Sequence, residues 1–288
     1  MALPARVFVA GSGVMGAGIA QSVAAAGIPV ILYGRRDETL ERAGESIDRA
    51  LTRLVKTEKL EQNEAVEIRE RIRRTSDIHE AARAEYVIET ITERRDDKLA
   101  LLSELDLICS PNAIFASNTS QFPITQLARA RAAPRRDRVI GTHFMNPAPV
   151  MRLVEVARGV ATSDETLATT VELIEYLGKE PIVCRDSQGF VTSRVLAAAL
   201  QEGIRCYEEG LASAEDVDRM CRLAFNWPLG PLALADFAGL DTLLNIWDSM
   251  AESYGDRLKP PQSLRLLVAA EMLGRKSGRG YRDWTQKR

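Results

Sequence analysis

The chain has 288 residues, a formal net charge of −2 and 45% hydrophobic residues. This length favours two domains, and the composition is sufficient for two hydrophobic cores. The near-neutral charge argues against nucleic acid as the main partner. Because the sequence has neither an apolar run of about 18 residues nor a charged-then-apolar N-terminal segment, we expect a cytoplasmic protein that does not bind a membrane.

The four cysteines are scattered along the chain, and the two histidines are His79 and His143. No C-x-x-C spacing is present, so the sequence indicates neither a zinc site nor a disulfide framework. We therefore expect no metal in the functional site.

The first predicted elements are a strand, a tight turn and a helix. Residues 6–10 have the β-branched content of a buried parallel strand, and residues 15–26 are typical of an alanine-rich helix. In the turn, Gly11 allows the sharp bend, Gly13 lets a pyrophosphate approach the backbone, and Gly16 lets the helix lie close to the strand. The predicted dinucleotide-phosphate contacts are Gly11, Gly13, Val14, Met15 and Gly16.

The second predicted strand, residues 29–33, completes a β-α-β unit, which favours a dinucleotide site over an ordinary turn. At the end of this strand, NAD sites usually place an acidic residue that binds the adenine ribose. This chain has Gly34, Arg35 and Arg36 there. Glycine leaves space, and two guanidiniums suit a 2′-phosphate, so these three residues predict NADP(H) as the cofactor.

The alternative cofactor is NAD(H). It requires Arg35 and Arg36 to face solvent while Asp37 or Glu38 binds the ribose. We expect Asp37 instead to cap the next helix, because acidic side chains favour helix N-termini.

Residues 38–74 are strongly charged and helical in pattern, with a break predicted near Asn63. This predicts a helical hairpin inserted in the dinucleotide-binding domain. Basic side chains recur on it at helical spacing, and Arg53 and Lys56 are candidates to bind a phosphorylated substrate tail. The alternative is a charged face that is simply solvated.

Further buried strands are predicted at residues 85–92, 114–117 and 138–141. Polar residues follow each of them, including Glu93, Asn118, Ser120 and His143, and Lys98 lies in the helix after Glu93. In an open parallel sheet, ligands bind beyond the carboxyl ends of the strands. We therefore expect these side chains to share one crevice with the glycine turn.

His143 is a candidate general base, because imidazole exchanges protons near neutral pH. Glu155 lies twelve residues further on, after an apolar run. A buried carboxylate needs a partner, and pairing with His143 would orient the imidazole. The residues alone leave alternatives open: a structural core histidine, or an ion pair of Glu155 with Arg152 or Arg158.

The pattern is helical after Ser187, with helices predicted at 189–209, 214–225, 232–254 and 264–273. The predicted fold class is therefore α/β: a Rossmann-like doubly wound sheet in a dinucleotide-binding domain, residues 1–185, followed by an all-helical C-terminal domain, residues 186–288. The helical domain is expected to serve substrate binding and dimerisation. Its apolar residues exceed what a small bundle needs, which favours a homodimer. These residues include Val195, Leu196, Leu200 and Ile204.

Several segments occur in an order that resembles the L-3-hydroxyacyl-CoA dehydrogenase family, including its bacterial 3-hydroxybutyryl-CoA dehydrogenases. They are GSGVMGAGIAQ, VIETITE, FASNTS, GTHFMNPAPVMRLVEV, GFVTSR, GPLALADFAGLD and LGRKSGRGY. The resemblance covers nearly the whole chain, and the HFMNPAP and SNTS segments are its most specific parts. It implies a homodimer and an acyl-CoA substrate.

The resemblance also implies individual roles. His143 and Glu155 would form the catalytic pair, and Ser120 would hydrogen-bond a substrate oxygen. Cofactor contacts would come from Glu93, Lys98 and Asn146, and we add Asn118 to that set. From the residues alone, Ser120 remains equally a helix-capping candidate.

One departure from the family pattern affects the predicted site. Where the family usually has Gly-Phe-x-x-Asn-Arg, this chain ends the motif with Ser193 and Arg194. We include Ser193 among the catalytic residues, since a hydroxyl still donates one hydrogen bond, although it lacks the two separate polar atoms of an amide. The replacement predicts slower turnover or a different substrate head group.

These observations together predict an enzyme that interconverts a short-chain L-3-hydroxyacyl-CoA and its 3-oxoacyl-CoA with NADP(H). One alternative is a related dehydrogenase that acts on a carrier-bound or free hydroxy acid. Another is a cofactor-binding protein with little turnover.

Overall fold

A computed structural model of the protein describes residues 3–285. The chain divides into two compact units between Phe190 and Val191. In the described residues, no helix is both long and apolar enough to span a lipid bilayer.

The first unit is built around a central sheet flanked by helices. Its strands are β1 Val7–Ala10, β2 Val30–Tyr33, β3 Ile72–Thr75, β4 Tyr86–Glu89, β5 Ile114–Ser117, β6 Val139–Phe144, β7 Leu153–Arg158 and β8 Glu180–Arg185. Its helices are α1 Val14–Ala25, α2 Asp37–Lys56, α3 Gln62–Glu70, α4 Arg95–Ile108, α5 Ile124–Leu127 and α6 Asp164–Tyr176. Within residues 3–285, these strands form an eight-stranded sheet in the order β3-β2-β1-β4-β5-β6-β7-β8.

Strand directions explain where a ligand can bind. Strands β1 to β6 run parallel, whereas β7 is antiparallel to β6 and β8 is parallel to β7. The chain leaves β1 to one side toward β2 and β3, and returns on the other side at β4. Such a reversal of strand order creates a crevice beyond the carboxyl ends of the strands.

The sheet is covered on both faces. Along β1, Val7 and Val9 enter one hydrophobic core, while Phe8 and Ala10 enter a second core on the opposite face. Every residue of β1, β2, β4 and β5 is buried, as is typical of parallel strands between two helical layers. The predicted doubly wound α/β fold is therefore confirmed.

The prediction for residues 38–74 is wrong in part. The break between the two helices lies at residues 57–61, and Asn63 is inside α3. Ile72–Thr75 is the edge strand β3, paired in parallel with β2, and not a helix. Pairing with a neighbouring strand overrides the charged local pattern there. Asp37 is the first residue of α2 and does not cap it; Arg36 occupies the N-cap.

The second unit is helical in the residues described. Its helices are α7 Thr192–Glu208, α8 Ala214–Phe225, α9 Pro231–Ala238, α10 Leu240–Tyr254 and α11 Gln262–Ala269. The helix predicted over 232–254 is divided at Gly239, whose φ of +95° is readily adopted only by glycine. Trp247 and Leu200 are buried in its core. The Asp236 carboxylate fixes the C-terminal segment by accepting hydrogen bonds from the Tyr281 and Arg282 amides.

Candidate active site

The turn between β1 and α1 depends on its glycines. Gly11 has a φ of +126°, and a Cβ on Gly16 would overlap the Gly11 carbonyl oxygen. Gly13 is the N-cap of α1, and a Cβ there would meet nothing within 4 Å. The backbone at the N-terminus of α1 is therefore open to a ligand, and its unpaired N–H groups favour an anion. A pyrophosphate fits this turn.

A cavity of about 710 Å³ lies beside the turn, a volume in the range of cofactor sites. Its wall includes Gly11, Gly13, Val14, Gly34, Arg35, Arg36, Thr39, Arg42, Arg49, Thr90 and Asp97. The arginines come from the end of β2 and from one face of α2, so cationic side chains dominate its charge. Such a wall suits a ligand that carries phosphate groups.

Arg35 and Arg36 are exposed at the end of β2, on the wall of this cavity. Burial raises the pKa of Tyr33, and the positive charge of Arg35 acts against that rise. Of the other predicted phosphate contacts, Gly16 is buried behind the turn and Met15 is half-buried.

Lys98 is held in a buried cluster of charges. Its ammonium, 1% exposed, lies 2.7 Å from Glu89 Oε1, 3.1 Å from Glu93 Oε2 and 3.3 Å from the Ile91 carbonyl oxygen. These acceptors match the three N–H groups of an ammonium. Burial acts to lower the pKa of Lys98, but attraction by Glu89 and Glu93 outweighs it and leaves the pKa raised. The Lys98 ammonium is therefore buried, in contact with the carboxylates of Glu89 and Glu93.

Glu93 holds the loop that follows β5. Its Oε1 accepts hydrogen bonds from the Ser120 amide at 2.9 Å, from the Gln121 amide at 3.3 Å and from the Thr119 hydroxyl. The Asn118 side-chain oxygen accepts a hydrogen bond from the Phe144 amide at 2.9 Å. These bonds join the loop to the segment between β4 and α4 and to β6. The Glu93 side chain is 27% exposed, so its carboxylate is also partly accessible to solvent.

His143 and Glu155 face each other across β6 and β7. The strand register pairs the two residues, and His143 Nδ1 lies 2.7 Å from Glu155 Oε2. The side chains are 12% and 3% exposed. A carboxylate accepts and does not donate, so Nδ1 carries the proton, and in the neutral imidazole Nε2 then presents a lone pair. This is the geometry of a general base oriented by a carboxylate.

Of the two strands that carry this pair, β6 is longer than the sequence predicted, and β7 was not predicted as a strand. Residues 138–141 were expected to form a strand that ended before His143, but β6 extends through Phe144. Glu155 lies within β7, whose pairing with β6 brings the two side chains together. The position of His143 is therefore decided by a strand pair and not by a loop.

The sequence interpretation missed the roles of two residues in this region, Phe190 and Ser117. Phe190 has a positive φ of +46°, is 1% exposed and lies with its ring centroid 6.1 Å from that of His143. Ser117 donates a hydrogen bond to Glu89 Oε2 at 2.6 Å, in the charge cluster around Lys98. The sequence signals for the bond between Ser117 and Glu89 were the glutamate at the end of β4 and the first serine of the SNTS segment.

Other predicted site residues lie apart from the cavity wall. Arg53 and Lys56 are exposed on α2, about one and two turns beyond Arg49. Asn146 is exposed just after β6, and Ser193 is the second residue of α7, in the second unit. Within residues 3–285, no cluster of three or more histidine, cysteine or acidic side chains could hold a metal ion.

Two family profiles together match almost the entire chain. The NAD binding domain of 3-hydroxyacyl-CoA dehydrogenase matches residues 6–187, and the C-terminal domain of 3-hydroxyacyl-CoA dehydrogenase matches residues 189–284. The chain belongs to the 3-hydroxyacyl-CoA dehydrogenase family. The family resemblance inferred from the sequence motifs is thus confirmed, and the chain is a hydroxyacyl-CoA dehydrogenase, an oxidoreductase with a nicotinamide cofactor.

This member of the 3-hydroxyacyl-CoA dehydrogenase family is similar to curated relatives over most of their length. It is 44% identical over 283 residues to the probable 3-hydroxybutyryl-CoA dehydrogenase of Bacillus subtilis, covering 98% of both chains. It is 37% identical to the mitochondrial hydroxyacyl-coenzyme A dehydrogenase of Sus scrofa, covering 96% of this chain and 90% of that protein. The crystal structure of (S)-3-hydroxybutyryl-CoA dehydrogenase from Ralstonia eutropha matches with a TM-score of 0.93 at 40% identity, covering 98% and 99% of the two chains.

Proposed function

We propose that this protein interconverts short-chain L-3-hydroxyacyl-CoA and 3-oxoacyl-CoA, such as 3-hydroxybutyryl-CoA and acetoacetyl-CoA, with NADP(H). The observation that carries the reaction type is the contact of 2.7 Å between His143 and Glu155. The names of the similar bacterial proteins support the short acyl chain. The experiment is the initial rate with acetoacetyl-CoA, followed by loss of NADPH or NADH absorbance in parallel reactions.

His143 and Glu155 would carry the proton. In the oxidation direction, His143 Nε2 removes the proton of the C3 hydroxyl, and Glu155 stabilises the imidazolium through Nδ1–H. The nicotinamide, when bound, supplies or accepts the hydride. Ser120 hydrogen-bonds a substrate oxygen, and Ser193 is proposed to assist it. Glu93 and Asn118 orient the Ser120 loop beside the cofactor, and Asn146 is the remaining proposed cofactor contact. Lys98, which is buried, acts on this set through the Glu93 carboxylate that it holds.

The preference for NADP(H) is proposed from Arg35 and Arg36, which lie on the cavity wall, and from Gly34, which stands directly after β2 in place of a carboxylate. Their guanidiniums can bind a 2′-phosphate in bidentate fashion. Replacing both by Ala should weaken NADPH binding at least about tenfold and leave NADH binding nearly unchanged. Arg83, exposed and paired with Glu80, is a matched control. A wild-type enzyme that prefers NADH would refute the cofactor proposal alone.

Arg53 and Lys56 are proposed to bind the nucleotide phosphates of the CoA moiety. They continue the basic face of α2 beyond Arg49, a cavity residue. The double change to Ala should raise KM for acetoacetyl-CoA but not for the pantetheine thioester, which lacks those phosphates. Lys59, exposed beyond the end of α2, serves as the control. An equal rise in KM for both thioesters would exclude this role.

We also propose that the helical domain, residues 186–288, forms a homodimer. Leu200 and Ile204, two of the residues from which a dimer was predicted, are buried in the core of the second unit. Apolar side chains that remain exposed on α7 and α8 include Val195, Leu196, Met220, Leu223 and Phe225. Leu223→Glu should produce a monomer in light scattering, whereas Leu107→Glu, on an exposed site of α4, should leave the dimer intact.

The substrate alternative rests on Ser193, since a hydroxyl replaces the amide expected there. A carrier-bound or free hydroxy acid would then be the better substrate, and rates with the CoA thioester, the carrier thioester and the free acid distinguish these cases. Cofactor binding with negligible rates on all three would indicate a binding protein. We place the proposed reaction in the cytoplasm, which cell fractionation tests.

A further inference from the structure

The β6–β7 turn, residues 145–152, has few hydrogen bonds of its own. Pro147 and Pro149 have no N–H group to donate. The amides of Val150 and Met151 both donate to the Pro147 carbonyl oxygen, each at 3.0 Å. Other carbonyl oxygens of the turn therefore need partners from elsewhere in the chain.

Lys179, which lies just before β8, supplies such a partner. Its ammonium donates to the Ala148 carbonyl oxygen at 2.7 Å and to the Met151 carbonyl oxygen at 2.9 Å. Lys179 is half-buried, and burial lowers the pKa of its side chain, as expected for a charge drawn out of water. Both acceptors are backbone atoms of the β6–β7 turn, so the ammonium acts on the turn directly.

The backbone of Lys179 is fixed where α6 ends. Its amide donates to the Ile174 carbonyl oxygen at 3.2 Å, and the Gly178 amide donates to the Glu175 carbonyl oxygen at 2.9 Å. With Gly178 at a φ of +69°, these two bonds form a Schellman motif, which ends a helix in a defined direction. The lysine side chain therefore starts from an anchored backbone and can restrain the turn.

The β6–β7 turn also packs against α1. A Cβ on Gly18 would lie 3.0 Å from Pro149 Cδ and 3.3 Å from Ala148 Cβ, so the turn is already in close contact with this helix. Ala148 is buried in the core that also contains α1 side chains. Asn146, two residues before Ala148, is exposed. The turn thus joins Lys179 to the helix whose N-terminus borders the cavity.

We propose that Lys179 is a positioning residue of the cofactor site: its ammonium holds the β6–β7 turn so that Asn146 stays in place to contact the nicotinamide cofactor. This inference rests on the cofactor contact proposed for Asn146. Lys179 acts through the turn and is not itself a cofactor contact. Without the ammonium, two carbonyl oxygens of the turn lose their partner, and the restraint on Asn146 is weakened.

The test measures, by isothermal titration calorimetry, the dissociation constant of NADPH or NADH, whichever the wild type binds more tightly. Lys179→Met keeps much of the side chain but removes its donors, and it should weaken cofactor binding at least about fivefold. Lys179→Arg, which retains charged donors, should restore the affinity to within about twofold of wild type. In an Asn146→Ala background, Lys179→Met should change the Kd less than about twofold, because the contact that it positions is gone.

Thr170→Val is the matched control for stability. Thr170 is buried on α6, and its hydroxyl hydrogen-bonds the Tyr86 hydroxyl at 3.0 Å, so the variant loses a hydrogen bond outside the turn. Both Thr170→Val and Lys179→Met should lower Tm, but only Lys179→Met should weaken cofactor binding. If Lys179→Met does not fold, Lys179→Gln, which keeps N–H donors without the charge, should show the same weakening and the same dependence on Asn146.

Unchanged cofactor affinity in Lys179→Met, or effects of Lys179→Met and Asn146→Ala that multiply, would overturn the proposal. Unchanged affinity in Asn146→Ala would refute the cofactor contact of Asn146 and this proposal with it. Failure to reduce acetoacetyl-CoA would refute the proposed substrate alone, because the quantities measured for Lys179 are cofactor affinity and Tm.

Discussion

Glu155 lies directly opposite His143 in the antiparallel pairing of β6 and β7, with 2.7 Å between Oε2 and Nδ1. The backbone ladder fixes the separation of the two strands, so the imidazole is oriented before any substrate binds. A base that needs no reorganisation is the arrangement expected for efficient proton transfer.

Replacement of His143 by Ala should lower kcat by at least about 10²-fold, because the general base is removed. The dissociation constant of the cofactor should change little, since the glycine turn and its cavity are untouched. Single-turnover kinetics and fluorescence titration measure the two quantities. Turnover close to that of the wild type would exclude His143 as the base.

Glu155→Gln should lower kcat with little change in KM, because an amide stabilises an imidazolium less than a carboxylate does. The pH profile of kcat should also shift, which a purely structural role of Glu155 would not cause. Glu180→Gln is the matched control, because Glu180 is an exposed carboxylate on β8 that pairs with Arg152. Equal effects of the two substitutions would contradict the assignment.

Glu93→Gln should reduce kcat more than it reduces cofactor affinity. The substitution replaces one carboxylate oxygen of the group that holds the Ser120 and Gln121 amides, so the loop loses part of its restraint. If the loop acts through Ser120, the effects of Glu93→Gln and Ser120→Ala should be non-additive in a double-mutant cycle. Independent, additive effects would show that Glu93 does not act through Ser120.

The Lys98 charge predicts a specific dependence of stability on pH. The pKa of Lys98 is raised above its ordinary value of 10.5. The stabilisation that its charge gives the folded state is therefore fully present below that pH and is lost as pH rises through the folded-state pKa. Lys98→Met should lower stability at neutral pH by about 3–5 kcal/mol, since Glu89 stays buried without its partner. The Tm difference from wild type should shrink at strongly alkaline pH. Exposed Lys59→Met should show neither effect.

Gly16 and Gly13 should respond differently to the same added methyl group. Gly16→Ala should lower Tm and abolish cofactor binding, because its Cβ would overlap the Gly11 carbonyl oxygen. Gly13→Ala should keep a Tm near that of wild type, since its Cβ meets nothing within 4 Å, yet weaken cofactor binding at least about tenfold. Thermal unfolding measures Tm, and titration measures cofactor affinity. If Gly16→Ala and Gly13→Ala behaved alike in both measurements, this distinction would be wrong.

Short-range patterns were sufficient for much of the fold. The strand at residues 114–117 and the helix at residues 214–225 were predicted with the bounds observed. In contrast, the strand at Ile72–Thr75 has a charged sequence and exists because β2 offers it a partner. A strand of this kind has no strong local signal, since its stability comes from pairing.

By itself, the sequence determined the glycine turn, the identity of His143 and Glu155 as candidates and the family, because these depend on residue type and spacing. Only the tertiary structure decided that β6 extends past His143 and pairs it with Glu155. It also decided that Lys98 lies among carboxylates and that Lys179 binds the turn between β6 and β7. These contacts join residues far apart in the chain, and packing of strands and helices, which no local pattern encodes, sets their distances.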